Sequence, residues 1–385
     1  MVAFVKRNVF IPASLVLVLA ACSGVVSTDD GGSSGGGNAI GGGSASGGGN
    51  SGGGSSTGGG SSTGGGTSTG GGSSTGGGTS TGGGASTGGG TSTGGGTSTG
   101  GGTSAGGGTA TGGGTGTHVT RVLFDAAHNQ VAGNADWIVD SHMPDPSPAT
   151  PSSETTWNGG ISSWGFDLVQ TGRYTLAQLP PANHLGWGTG GPGDLQHFDV
   201  FISDEPEANF TAAEQQALMS FLSAGGGVFL ISDHSGAVRC GGCVEAWRVI
   251  NDFLENGASN DFGVKVDGND VGASGLTGSA VTGPLSGHFT NGPFGATTAL
   301  VYHSGSTVST VAGHGAPEII FSASVGGMMA ASERSAGGRL VVMGDSSPAD
   351  DGSCQCSATL ENGWHESTDR QSILNATAWL AHDGS

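Results

Sequence analysis

The sequence predicts an α/β domain, a three-layer sandwich around a mostly parallel sheet, carried behind a disordered Gly/Ser/Thr-rich tether. Two observations predict the domain. Apolar runs such as VFLIS and RLVVM show no in–out alternation, as strands covered on both faces do. Segments with helical spacing separate several of them, which calls for parallel strands joined by crossovers. The tether follows from a third: between residues 22 and 117 a six-residue repeat of the kind GGGSST or GGGTST offers no recurring large apolar side chain to offset the entropy of ordering.

In chain order, HVTRVLFD (118–125) reads as a strand and NADWIVDS as a short helix. The loop MPDPSPATPSSETTW is irregular by its prolines. ISSWGFDLVQTG is a helix stopped at Gly172, and YTLAQLP a strand. FDVFISDEP (198–206) is a buried strand with a polar end, followed by the helix TAAEQQALMSFLSAGGG with a capping box at Thr211 and Glu214. After the strand VFLISDH, the segment CVEAWRVINDFLENG puts Val244, Trp247, Ile250, Phe253 and Leu254 on one helical face. Signals are weak from Val264 to Gly295. ALVYHS, PEIIFSAS, GGMMAASE and RLVVMGDSS are strands, and a last helix runs from about Asp369 to His382.

Residues 1–21 have the make-up of an export signal: Lys6 and Arg7, then the apolar VFIPASLVLVLA, too short for a comfortable membrane span. Leu19-Ala20-Ala21-Cys22 resembles the bacterial lipobox, which implies a lipid on Cys22, a membrane as partner and a cell-envelope location. Ser23 after that cysteine points to the outer membrane or cell surface. The tether 22–117 would then hold the domain (118–385) clear of its anchor, with an r.m.s. reach of roughly 50–60 Å. Of the chain's 30 acidic and 10 basic residues, 28 and 8 fall in the domain once Lys6, Arg7, Asp29 and Asp30 are set aside. Such a surface repels phosphate backbones, so nucleic acid is not an expected partner.

Four cysteines remain, Cys240-x-x-Cys243 and Cys354-x-Cys356. In an exported chain an even count favours disulfides, with three pairings open; a zinc set and a redox pair are the alternatives. Bonds between the two loops would staple one rim of the sheet.

Right-handed crossovers bring the carboxyl ends of parallel strands to one edge, where open α/β sheets hold their ligands. The strands here run out into Asp125 and His128, Asp204 and Glu205, Asp233 and His234, and Asp345 with Ser346 and Ser347, with Asp350 and Asp351 soon after. Asp233, His234 and His128 are candidate catalytic groups. Asp125, Glu205, Asp345, Ser346, Trp364 and His365 are candidate ligand-binding groups. A carboxylate–imidazole set of this kind can bind a divalent metal and activate water, with Asp125, His128, Asp233, His234 and Asp345 as the donors. Trp157, Trp164, Trp187 and Trp364 lie in polar surroundings, where sugars stack.

The segments FDAAHNQ, TTWNGGISSWGFDLVQTGRYTLAQLP, FDVFISDEPEANFTAAEQQALMSFLSAGGGVFLISDH, VVMGDSSPADDG, NGWHE and LNATAWLA resemble bacterial exported proteins. These belong to the class I glutamine amidotransferase-like superfamily, near its ThuA-like and intraflagellar-transport-like branches. The resemblance covers most of residues 118–385 and implies a flavodoxin-like sandwich. Glutaminase chemistry does not carry over: Asp233-His234 stands where such enzymes place a cysteine, Cys240 comes several residues too late, and His365-Glu366 lies about twenty residues beyond the last strand. The expectation is therefore a domain that binds a ligand, plausibly a glycan, at the carboxyl-end rim; the alternative is a metal-assisted hydrolase using the same Asp and His residues.

Overall fold

The structure, a computed structural model, describes residues 118–383 except 273 and 357–359, together with short Ser/Thr strands of the repeat between residues 38 and 111. The leader, Cys22 and most of the expected tether lie outside the described residues. From Ser55 to Thr99, each described strand of the repeat pairs in parallel with the one twelve residues later, Thr67 with Thr79 and Thr79 with Thr91 for example. Backbone hydrogen bonds between such triplets need no apolar side chain. No helix among the described residues is long and apolar enough to cross a membrane.

The domain is mixed α/β. Its strands are β1 (Thr120–Asp125), β2 (Tyr174–Leu179), β3 (Val200–Asp204), β4 (Gly227–Ile231), β5 (Val264–Val266), β6 (Ser274–Ala280), β7 (Ala299–His303), β8 (Val308–Thr310), β9 (Glu318–Ala323), β10 (Gly326–Glu333) and β11 (Arg339–Met343). Its helices are α1 (Ser162–Gln170), α2 (Ala212–Ser223), α3 (Ala246–Asp252, continued by a π turn through Gly257), α4 (Ser286–Thr290) and α5 (Asp369–Leu380). The sheet runs β2-β1-β3-β4-β11-β10-β9-β6-β7, with β8 beside β10 and β5 beside β8.

The first five strands of that order are parallel. Alternate residues along them feed two separate layers. Val122, Phe124, Ile202, Phe229, Ile231, Val341 and Met343 pack with Trp164 and Leu168 of α1 and Ile373 and Trp379 of α5. Leu123, Phe201, Val228, Leu230, Leu340 and Val342 pack with Leu218 and Phe221 of α2 and Ile250 and Phe253 of α3. Each fully buried side chain of this kind contributes roughly 1.5–3 kcal/mol, so neither face tolerates polar alternation. Helices thus pack on both faces of the parallel strands, and the Thr211–Glu214 capping box and the left-handed stop at Gly172 are as expected.

The far half of the sheet, β6 to β10, is antiparallel. Short turns at Gly326 (φ +141°) and Gly337 (φ +90°) join β9 to β10 and β10 to β11, which leaves no room for a crossover helix between them. NADWIVDS is irregular, not helical. Gln178 of β2 accepts from the backbone N–H groups of Val139 (2.9 Å) and Asp140 (3.1 Å), taking the donors a helix would use.

Candidate functional site

The rim at the carboxyl ends of the parallel strands divides into two centres, because the pleat sends successive side chains to opposite faces. On the side of α2, Asp125 and His128 form a closed, buried arrangement. His128 Nδ1 donates to Asp125 at 2.8 Å, and Nε2 lies 3.4 Å from Glu214. Asp125 also accepts from Ser203 Oγ (2.7 Å), Gln130 Nε2 (3.1 Å) and the Ala127 N–H (3.0 Å). The His128 ring packs against Phe210 at 4.4 Å between centroids. Burial works against a charge on this imidazole, but the Asp125 and Glu214 carboxylates outweigh it and hold His128 up to about 10. Glu214 is pulled well below the usual carboxylate range: burial opposes the shift, while His128 and the Thr211 donors drive it. Two carboxylates on one imidazole favour its protonated form. His128 and Asp125 thus tie the loop after β1 to the start of α2, where Glu214 lies.

On the opposite side sits a cluster of acids. Asp204, the last residue of β3, is 1% exposed, and neither carboxylate oxygen has a hydrogen-bond partner. Burial drives its pKa well up; Arg239 opposes that, and Asp233 and Asp345 add to it. Asp233, just beyond β4, is pushed up to about 7 by burial and then by Asp345, against the pull of His234. Asp345 is raised mainly by burial, although it accepts from the N–H groups of His303 (2.6 Å) and Ser347 (3.0 Å). Asp350 is pushed up to about 9 by burial, with Asp351 and Asp204 adding to the effect and the Gly352 N–H opposing it. Register explains the grouping: Asp204 pairs with Ile231 and Ile231 with Met343, so Asp233 and Asp345 each lie two residues past neighbouring ladder partners.

Glu205 follows Asp204 with φ +40°, a left-handed conformation strained for a residue with a side chain. Its N–H donates to the Ile231 carbonyl (2.9 Å), while its carboxylate pairs with Arg239 and accepts from Ser346 Oγ. Arg239 is the cation of this cluster. His234 is partly exposed; its Nδ1 donates to the Ser235 carbonyl at 2.9 Å, and Asp233 and Asp270 lie 3.9 Å from its ring nitrogens. Asp204, Glu205, Asp233, Asp345 and Ser346 therefore come together, with His234 at the edge, while Asp125 and His128 do not join them.

Trp364 and His365 turn their side chains away from this cluster, although the Trp364 backbone N–H donates to the Asp350 carbonyl at 2.8 Å. Trp364 is 1% exposed, stacks on Trp164 and donates to Asp167 at 3.1 Å. His365 bonds Asn362 (2.7 Å) and Glu154 (2.9 Å) on the surface. Trp157 and Trp164 are core as well, and Trp187 is half-buried against Phe221 of α2. Among the described residues, the groups of three potential metal ligands lying within 4.8 Å of one another are Asp136–Cys354–Cys356 and Glu207–Cys240–Cys243, not the Asp/His set expected. Each cysteine motif closes on itself, Cys240–Cys243 and Cys354–Cys356, so no bond staples the two loops together. A cavity of about 270 Å³, lined by His288, Asn291, Pro293, Trp379 and Asp383 among others, lies by α4 and α5 and contains none of the rim acids.

Sequence reasoning passed over Arg239, Glu214 as a histidine partner, and Asp204 as a buried acid without a hydrogen-bond partner. Arg239 carried a usable signal, being one of few cations in a strongly acidic domain.

No family model and no curated protein matches this chain. Among solved structures it is similar to the mmIFT52 N-terminal domain, at 16% identity and a TM-score of 0.44 over 69% of this chain and 99% of that one. It is also similar to the exo-beta-1,4-mannosidase Op5Man5 from Opitutaceae bacterium strain TAV5, at 10% identity and a TM-score of 0.34 over 68% of this chain and 36% of that one. These are remote likenesses of fold.

Proposed function

We propose that residues 118–385 form the ligand-binding domain of a lipid-anchored cell-envelope protein, which takes a hydroxyl-rich ligand, a glycan being the class that fits, in the acid cluster around Asp204. The carrying observation is the buried Asp204 carboxyl without a hydrogen-bond partner, since such a group costs stability and a ligand's hydroxyls would satisfy it. Carboxyls raised as Asp204, Asp233 and Asp350 are can offer O–H donors as well as acceptors near neutral pH, which suits sugar hydroxyls. The parallel strand order, 2-1-3-4-5 when β11 is counted fifth, is that of flavodoxin-like sheets, whose ligands lie at this edge. Turnover by a glutaminase route lacks support, because Ser232, Asp233 and His234 follow β4 and Cys240 is bonded to Cys243.

The excess of carboxylates over Arg239 also suits a cation, which keeps a metal-assisted hydrolase as the second reading. Its donors are too dispersed here to close on one ion without rearrangement. A glycan array followed by calorimetry on wild type and Asp204→Asn tests the first reading: a hit should be lost in the variant while melting temperature holds or rises. A blank array together with turnover on an esterase or phosphoesterase panel, and a divalent ion retained after dialysis, would reverse the ranking.

A further inference from the structure

Beside the acid cluster three loops meet at Cys240 and Cys243. Asn129, in the loop after β1, donates from Nδ2 to Cys243 Sγ (3.4 Å) and to the Glu207 carbonyl (3.3 Å). Glu207, in the loop after β3, is 1% exposed, and a carboxylate oxygen lies within 4.8 Å of both sulfur atoms. Its N–H donates to the His128 carbonyl (2.8 Å), and its own carbonyl accepts from the Val244 N–H (2.9 Å), so the acid is fixed against the cysteine loop. Both cysteines are partly exposed. The Glu207 carboxylate accepts from the Arg239 N–H (3.1 Å), which holds it beside the sulfurs, where desolvation penalises its charge.

We propose that Cys240–Cys243 is a thiol–disulfide exchange centre in which Glu207 carries the proton and Asn129 stabilises the departing Cys243 thiolate. The reductant is a dithiol. One of its thiols, deprotonated by solvent, attacks Cys240 Sγ; the Cys240–Cys243 bond breaks and its electron pair leaves on Cys243 Sγ. Glu207 protonates that sulfur and is reprotonated by the dithiol's second thiol. The second thiolate then attacks the first sulfur, closing the dithiol's own disulfide and releasing Cys240, which takes the proton left in solvent. Two electrons pass to the protein, the dithiol is oxidised, and both cysteines end as thiols. Burial pushes Glu207 up to about 7, against the Arg239 N–H bond, so its acid form is available near neutrality. The charged groups facing it are Arg239, with Nε at 3.8 Å, and Asp233, on which its charge acts; Glu205 shares Arg239.

The full-length protein is reduced with dithiothreitol between pH 5.5 and 9, quenched with acid, and each cysteine pair is followed by peptide mass spectrometry. Once corrected for the dithiothreitol thiolate fraction, the rate at Cys240–Cys243 should fall about tenfold or more as pH rises through about 7, because the acid that assists departure is lost. Glu207→Gln keeps an acceptor for the Arg239 N–H, and it should remove the step and slow the rate at pH 6 by about tenfold. A corrected rate that is flat across this range, or a pair inert to dithiothreitol in the folded wild type, overturns the proposal even if the variant does not fold. An unchanged rate in folded Glu207→Gln also overturns it.

Discussion

Replacing His128 with Gln should destabilise the domain in a way that disappears at high pH. The imidazole rises from 6.5 to about 10 in the folded protein, so it binds a proton the unfolded chain has lost over that interval. A raised histidine contributes stability that is complete below pH 6.5 and is lost as pH rises through about 10. A rise of that size sets a ceiling of roughly 5 kcal/mol. The lowered Glu214 carboxyl is the same interaction viewed from its other end and is counted once. Removing one partner from a buried charge pair costs about 3–5 kcal/mol in general, so both routes agree. Urea denaturation of wild type and variant at pH 6, 8 and 10.5 measures it. The gap should be about 3–5 kcal/mol at pH 6 and shrink to about 1 kcal/mol at pH 10.5, the residue of lost packing and hydrogen bonds. A gap that does not change with pH would mean that His128 is neutral in the fold and that the clamp between Asp125 and Glu214 is not ionic.

Asp350→Asn should act in the opposite sense. A carboxyl raised from 3.8 to about 9 makes the native state bind the extra proton, so wild-type stability falls as pH climbs between those values. The amide keeps an acceptor for the Gly352 N–H, and the variant should gain about 1–4 kcal/mol at pH 7 and nothing near pH 4, read from melting temperatures across pH. Trp364→Ala removes a side chain stacked on Trp164 at the centre of one layer. It should cost about 3–5 kcal/mol in denaturant titration while leaving the affinity of any rim ligand unchanged in the folded fraction; a selective loss of binding would return Trp364 to the site.

The parallel half of the sheet was legible because VLFD, VFISD and VFLIS must be apolar on every residue to be covered on both faces, and that requirement is written locally. The start of α2 was legible for the same reason, since Thr211 and Glu214 satisfy each other's backbone three residues apart. NADWIVDS misled because its donors are claimed by Gln178, 38 and 39 residues away, a partner no local pattern reveals. Trp364 misled because the polar residues around it in the chain are not its neighbours in the fold.

What the sequence by itself determined is which strands are buried and that several of them end in ionisable residues, because burial and chain direction are fixed by the order of side chains. The tertiary structure alone decided which of those residues meet. Asp125 and Asp204 both close a strand, and those strands pair, yet the pleat and register turn one into a histidine clamp and leave the other partnerless among acids. Whether a carboxyl is a quiet ion or a strained acid depends on the charges and donors within a few ångströms of it, and those come from distant parts of the chain.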